Sequence, residues 1–409
     1  MNAELPDHNL ESKLILAGCE TVMAPESRKL IARSLQGPID WQYIMAVTQR
    51  NAVKPLFSSN MLGHFSDHLP PEIMKSITEE LQSHVQRNMF LTAKLIELVK
   101  LFSANGINAL PFKGPLLAIK AYGNPALRRY GDLDVLVKPR HFERAVQILT
   151  ENGYTPRTSV SWLNKKNWYI SRKKDIYFTD ESGSINLELH WKLSGSHFGL
   201  PREMNGLWDR LIEINVGGTK MPSLSFNDLL IYLCLHGSRH GWERLAWVCD
   251  VNELIRSEKD IDWNSVAEDA KRFGCENVVA LGLRLTRDLF GLQLPAGSVF
   301  NDLMNVEVYD NIVAEIRTAL FSDASKQTEI GDRYAYHLKL KERSTDRLKL
   351  HYHYLSWYLT LLLTPNEKDR DVMHFPHYLS PLYYVTRPFR LLFSYIGNRS
   401  TPTPKSESR

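Results

Sequence analysis

Six residues, DLDVLV at 132–137, constrain this chain more than any other stretch. The run is aliphatic and β-branched, and Lys138-Pro139 closes it, so it reads as a strand. Side chains on a strand alternate between faces, which puts Asp132 and Asp134 on one side, roughly 6.6 Å apart along the backbone. Leu133, Val135 and Val137 then point the opposite way, into a core. Two carboxylates sharing a strand face repel unless a cation lies between them. Mg²⁺ held by one or two carboxylates together with triphosphate oxygens is the usual solution.

The flanking sequence is mostly helical. Residues 1–106 carry apolar positions at three- and four-residue spacing, as in DWQYIMAVTQRNAV and in the long run from Lys75 that Gly106 stops. From 107 the texture changes. INALPF is too short for a helix, KGPLLAIKAYG has helical content with Pro115 suited to a first turn, and NPALRRYG is a loop leading to the acidic strand. PRHFERAVQILTENGY is helical again, and DIYFTD and INLELHWKL, separated by ESGS, read as a hairpin. The expected class is therefore α+β, a small mixed-sheet core at 107–220 between helical regions at 1–106 and 221–395, with a disordered tail at 396–409.

Three further features converge on the acidic strand. Lys113-Gly114 lies on the turn between the first strand and its helix, where glycine admits a close phosphate and the helix start offers N–H donors. Arg128, with Arg129 beside it, precedes Asp132 by four residues and suits neutralisation of a departing pyrophosphate. Glu188 shares a strand face with His190 on the hairpin expected beside the acidic strand. It is placed to complete a second metal site and to accept a proton from an attacking hydroxyl. His190 reads as packed beside these ligands rather than among them. His236 and His240, four apart on a helix, share a face. No HEXXH pattern accompanies them, so they read as polar packing toward a cleft. Trp242 and Trp247 read as core, and PLYYVTRPFRLLFSYIG as a segment buried on helices or resting on a membrane surface.

The run LPFKGPLLAIKAYGNPALRRYGDLDVLV resembles a nucleotidyltransferase family related to the DNA polymerase beta superfamily. LCLHGSRHGWERLAWVCDVNELI is similar to the helical segment that follows the core in that family, and weaker similarity extends from about 10 to 395. The resemblance implies Asp132 and Asp134 as metal ligands, Glu188 as the nearest match to a third carboxylate, and Lys113-Gly114 as the phosphate turn. It also implies two Mg²⁺ ions and a nucleoside triphosphate such as ATP as substrate. The Lys-Gly-Pro turn departs from the superfamily's Gly-Gly or Gly-Ser, which implies different handling of the triphosphate.

The expected activity is transfer of a nucleoside monophosphate to an unidentified hydroxyl or phosphate acceptor on a small molecule, sugar, peptide or protein. The rival readings are a nucleotide-holding protein of the same fold without turnover, and an interaction platform. A net charge of +4 without a dense basic stripe argues against a long nucleic acid. Four cysteines without a CxxC pair exclude a zinc knuckle, and with no signal-peptide pattern they point to the cytoplasm. The most apolar late segment, LSWYLTLLLTP, is about half the roughly 20 residues of a spanning helix.

Overall fold

The computed structural model describes residues 10–157, 174–193, 206–322, 333–341, 343–363 and 382–399. They fall in two compact units, Met1–Arg343 and Ser344–Arg409. The class is α+β, a small mixed sheet flanked by helices.

The first unit opens with helices α1 (Leu10–Ala17), α2 (Pro25–Ser34), α3 (Trp41–Arg50), α4 (Lys54–Phe65) and the 34-residue α5 (Pro71–Ala104). Asp40 caps α3 by accepting from the Tyr43 backbone N–H. Strand β1 (Ala109–Pro111), helix α6 (Gly114–Tyr122), strand β2 (Asp132–Val137) and helix α7 (Phe142–Glu151) follow, then β3 (Thr155–Pro156), β4 (Asp175–Thr179) and β5 (Asn186–His190). Gly123 ends α6 in the left-handed conformation that glycine adopts at no steric cost.

The sheet order is β1-β2-β5-β4-β3. β2 pairs antiparallel with β1 and parallel with β5, while β4 runs antiparallel to both β5 and β3. The acidic strand thus lies inside the sheet, and its two faces do different work. Leu133, Val135 and Val137 are fully buried in an apolar cluster with α5 and α7. Leu136, on the face shared with Asp132 and Asp134, joins a second cluster that contains the later helices.

A second hairpin, β6 (Ile212–Val216) and β7 (Thr219–Ser223), packs near β1. It was not among the sequence expectations, although Gly217-Gly218 between two alternating runs is a hairpin turn signal. The helices α8 (Phe226–Arg239) and α9 (Leu245–Ser257) come next. They arise from a stretch read as continuously helical, and Trp242 breaks it. Its φ is +53° and its ring is fully buried, wedged where a side chain on Gly237 would collide with it and one on Gly282 would crowd it at 3.3 Å. The unit continues through α10 (Trp263–Phe273), α11 (Glu276–Phe290), α12 (Val299–Met304), α13 (Val308–Phe321) and α14 (Arg333–Lys339). All four cysteines are buried and free.

The second unit contains α15 (Ser344–Leu363) and α16 (Leu382–Arg399), which pack on each other. On α16, Tyr383 and Arg387 are buried while Tyr384, Val385 and Phe389 are exposed. The helix continues past 396, where a disordered tail was expected, and residues 400–409 lie outside the described ones. Among the described residues no helix is long and apolar enough to cross a membrane.

Candidate active site

Strand register brings the carboxylates together. In the parallel β2–β5 pair, Asp134 lies opposite Glu188, Asp132 opposite Asn186, and Leu136 opposite His190. Asp134 is only 3% exposed, so its charge has to be answered from within the protein. Lys113 Nζ stands 3.4 Å from Asp134 Oδ1, and His190 Nε2 lies 3.1 Å from the same oxygen and 3.2 Å from Glu188 Oε2. The ammonium of Lys113 also faces the rings of Phe112 and Tyr232, at 5.8 and 5.6 Å from their centroids.

The electrostatics divide the two aspartates. Burial alone would raise the Asp134 pKa, but Lys113 and His190 outweigh it and hold the carboxyl well below its usual range. Burial likewise works against the charge on Lys113, and Asp134 with Tyr232 outweighs it, keeping the ammonium above its ordinary value. Asp132 has no such close cation. Burial, then the charges of Asp134 and Glu188, push it up to about 6. Three carboxylates around one lysine therefore leave an excess of negative charge.

That excess is the test of whether a divalent cation fits. One ligand atom each from Asp134, Glu188 and His190 lie within 4.8 Å of one another, close enough to share an ion. His190 Nδ1 is buried with no hydrogen-bond partner among the described residues, and its nearest acid oxygen, Asp175 Oδ2, is 3.8 Å away. The imidazole, expected beside the ligands, stands within reach of an ion bound between the two carboxylates through its other nitrogen, Nε2. The carboxylate donors suit Mg²⁺ and Mn²⁺, while an imidazole ligand would favour a transition metal over Mg²⁺.

Gly114 shows why the turn reads Lys-Gly. Its φ is +54°, and a side chain there would stand 3.3 Å from the backbone oxygen of Asp132. The missing side chain lets the turn close on the acidic strand itself, which carries Lys113 to Asp134.

Arg128, expected to meet phosphate, is engaged by a carboxylate in the structure. Its Nε donates to Asp250 Oδ1 at 2.7 Å and its Nη2 to Oδ2 at 2.9 Å, while Tyr122 donates to the same carboxylate at 2.8 Å. This buried, two-pronged pair ties the loop before β2 to α9. Asn88 on α5 holds the same loop by donating to the carbonyls of Pro125 and Arg128 at 2.6 and 2.9 Å. Arg128 still borders the cavity, with its guanidinium engaged from behind.

Across from the carboxylates stands a wall from α8 and α9. Tyr232, His236 and His240 follow one another at four-residue spacing, the first two stacked at 6.0 Å. His236 and His240 both lie 5.3 Å from Trp247. Burial, then Lys113 and His240, hold His236 well below its usual pKa, so it is a neutral imidazole. Trp247, read as core from the sequence, is only partly buried and borders the cavity, whereas Trp242 is core as expected.

The two walls enclose one cavity of about 1440 Å³, bordered by Lys113, Gly114, Arg128, Asp132, Asp134 and Glu188 on the sheet side. Sequence reasoning found these six. It missed Asp250 as the partner of Arg128 and Trp247 as a cavity residue. It also missed Arg50, Arg87, Arg239 and Arg244, which border the same space. No local pattern marks them, because they come from segments far apart in the chain.

Residues 37–291, more than half of the chain, match a family model described as an uncharacterised nucleotidyltransferase. That span is narrower than the resemblance from 10 to 395, and it includes both walls of the cavity. No curated protein matches the chain.

Proposed function

The chain belongs to this uncharacterised nucleotidyltransferase family, and from that premise we propose that it moves a nucleoside monophosphate from a nucleoside triphosphate to an acceptor oxygen. The acceptor oxygen attacks the α-phosphorus. The bond from that phosphorus to the bridging oxygen breaks, and pyrophosphate leaves with the electron pair. The observation that carries the reading is the set of Asp132, Asp134 and Glu188 in one cavity beside Lys113.

Each residue has a role in this scheme. Asp132, Asp134 and Glu188 would hold Mg²⁺, two ions in the full complex. A bound divalent ion supplies charge neutralisation to the triphosphate and the leaving group. Lys113, brought in by the Gly114 turn, meets phosphate charge. Glu188, with about 15% of its side chain exposed, can take the proton of an acceptor hydroxyl. His190 orients Asp134 and Glu188 through its Nε2. Arg128 adds positive potential while Asp250 fixes its position. Positioning and charge neutralisation account for most of the expected acceleration.

The test is incubation with labelled triphosphates, Mg²⁺ and a panel of acceptors, reading label transfer and pyrophosphate release. Transfer that disappears in the Asp132→Ala, Asp134→Ala double variant supports the reading, and transfer unchanged by it overturns it. Nucleotide binding without turnover under every condition would instead identify a holding protein of the same fold.

A further inference from the structure

Five arginines border the cavity without a carboxylate partner among the described residues: Arg50, Arg87, Arg129, Arg239 and Arg244. The other cations of the lining are paired, Lys54 with Glu80, Lys113 with Asp134, Lys174 with Asp175 and Arg128 with Asp250. Arg50 donates to the carbonyls of Leu320 and Ser322, Arg87 to Ser184 O, and Arg129 reaches Gln49 O at 3.5 Å. Arg239 donates to His240 Nε2 at 2.9 Å, and the guanidinium of Arg244 lies 5.8 Å over the Trp247 ring. Glu243 borders the same space and brings one negative charge to it.

Two of these arginines, Arg50 and Arg244, sit on segments that are tied together. Buried Asn51 accepts from the Leu245 backbone N–H at 2.9 Å, and its own carbonyl accepts from Ala246 at 3.1 Å. That joins the end of α3, with Arg50, to the start of α9, beside Arg244. One Arg50 nitrogen, Nη1, is buried with no hydrogen-bond partner among the described residues. Such a cluster of like charges persists where an anion answers it.

The nucleotide alone does not account for this surplus. Two divalent ions cancel a fully ionised triphosphate, and Lys113 answers one of the three carboxylates. With Glu243 added, the remaining negative charge engages at most three of the five arginines, and two stay unanswered. The cavity volume of about 1440 Å³ also exceeds the roughly 300–1,000 Å³ of a site for one small ligand. We infer that the wall carrying Arg239 and Arg244 is the acceptor subsite, and that the acceptor carries an oxyanion, a phosphate or a carboxylate. Guanidinium groups match both through paired N–H donors. This assignment rests on the transferase reading and names the class of its second substrate.

The experiment is titration calorimetry with Mg²⁺ and a saturating non-hydrolysable triphosphate analogue, adding inorganic phosphate in one arm and acetate in another. Wild type and the Arg239→Ala, Arg244→Ala double variant are compared, with circular dichroism as a check of folding. Expected is anion binding beside the nucleotide in wild type, weakened at least tenfold in the variant, with nucleotide affinity within twofold of wild type. The arm that binds identifies the anion. Neither anion binding beside the nucleotide overturns the inference, and so does a tenfold loss of nucleotide affinity in the variant, which would assign the arginines to the triphosphate. No nucleotide binding by wild type overturns the transferase reading, and the acceptor assignment with it. Should the double variant not fold, Arg244→Glu, on an exposed side chain, gives the same discrimination.

Discussion

The sheet wall and the helical wall of the cavity carry opposite charge, and they are assembled in opposite ways. On the sheet wall, Asp132 and Asp134 are two residues apart, and a parallel pairing adds Glu188 beside Asp134. Strand geometry fixes the spacing of Asp132 and Asp134, and the long-range pairing of β2 with β5 adds Glu188 to them. On the helical wall, Arg50, Arg129, Arg239 and Arg244 come from α3, from the loop before β2 and from the turn around Trp242. Their proximity depends on Asn51, on the Arg128–Asp250 pair and on the wedge of Trp242 between Gly237 and Gly282. Two of the three acids are thus brought together locally, whereas the arginines come from separate segments and share the cavity only through long-range packing. The acidic wall should therefore be sensitive to substitutions that remove charge, and the basic wall to substitutions that loosen the scaffold.

Four changes would break or sharpen that contrast. The largest effect is expected at the acidic wall. Asp134→Asn should lower transfer by on the order of 10³-fold, through loss of transition-state charge stabilisation. Circular dichroism should show the fold intact, and retention of more than a tenth of the activity would move the centre of the site elsewhere.

Next comes the tie between the walls. Asp250→Ala leaves Arg128 buried and unpaired, which should cost about 3 kcal/mol of stability in denaturant unfolding. If the loss were under about 0.5 kcal/mol, as for an exposed pair, the tie would not hold the scaffold.

Gly114→Ala should cost about 1–2 kcal/mol, from a positive φ and a close approach to Asp132 O. Its nucleotide affinity should fall along with its stability, because the same turn carries Lys113. A stability loss with unchanged binding would separate the turn from the site.

The smallest effect has the opposite sign. In chelator-treated protein, Asp132→Asn should stabilise the fold by about 1–2 kcal/mol near pH 7.5, after allowance for partial solvent exposure. The folded-state pKa of Asp132, about 6, is raised above its ordinary 3.8. Its favourable contribution is therefore present below about pH 4 and lost as pH rises through 6. The advantage of the variant should shrink to nothing by pH 4 in thermal unfolding scans. An equal advantage at both pH values would show that charge is not its source.

Much of the sheet wall was legible in the sequence. The alternation in DLDVLV, the ESGS hairpin and the Lys-Gly turn are each local, and each places its residues by short-range geometry. Gly114 was legible as a necessity but for a partly different reason, since its absent side chain faces the Asp132 backbone. The β6–β7 hairpin was written in Gly217-Gly218 and escaped notice beside a boundary drawn at 220. The engagement of Arg128 by Asp250 could not be read at all. The partners stand 122 positions apart, and nothing local to either one marks the pairing.

By itself, the chain's order of residues determined the α+β class, the strand that carries Asp132 and Asp134, and the turn that delivers Lys113. Each follows from backbone periodicity and steric rules that operate over a few residues. Only the tertiary structure decided that His190 would stand against Asp134 and Glu188, that Asp250 would claim Arg128, and that the arginines would line the facing wall. Those outcomes depend on which helices bury which faces against one another, a balance of apolar contacts spread over the whole first unit.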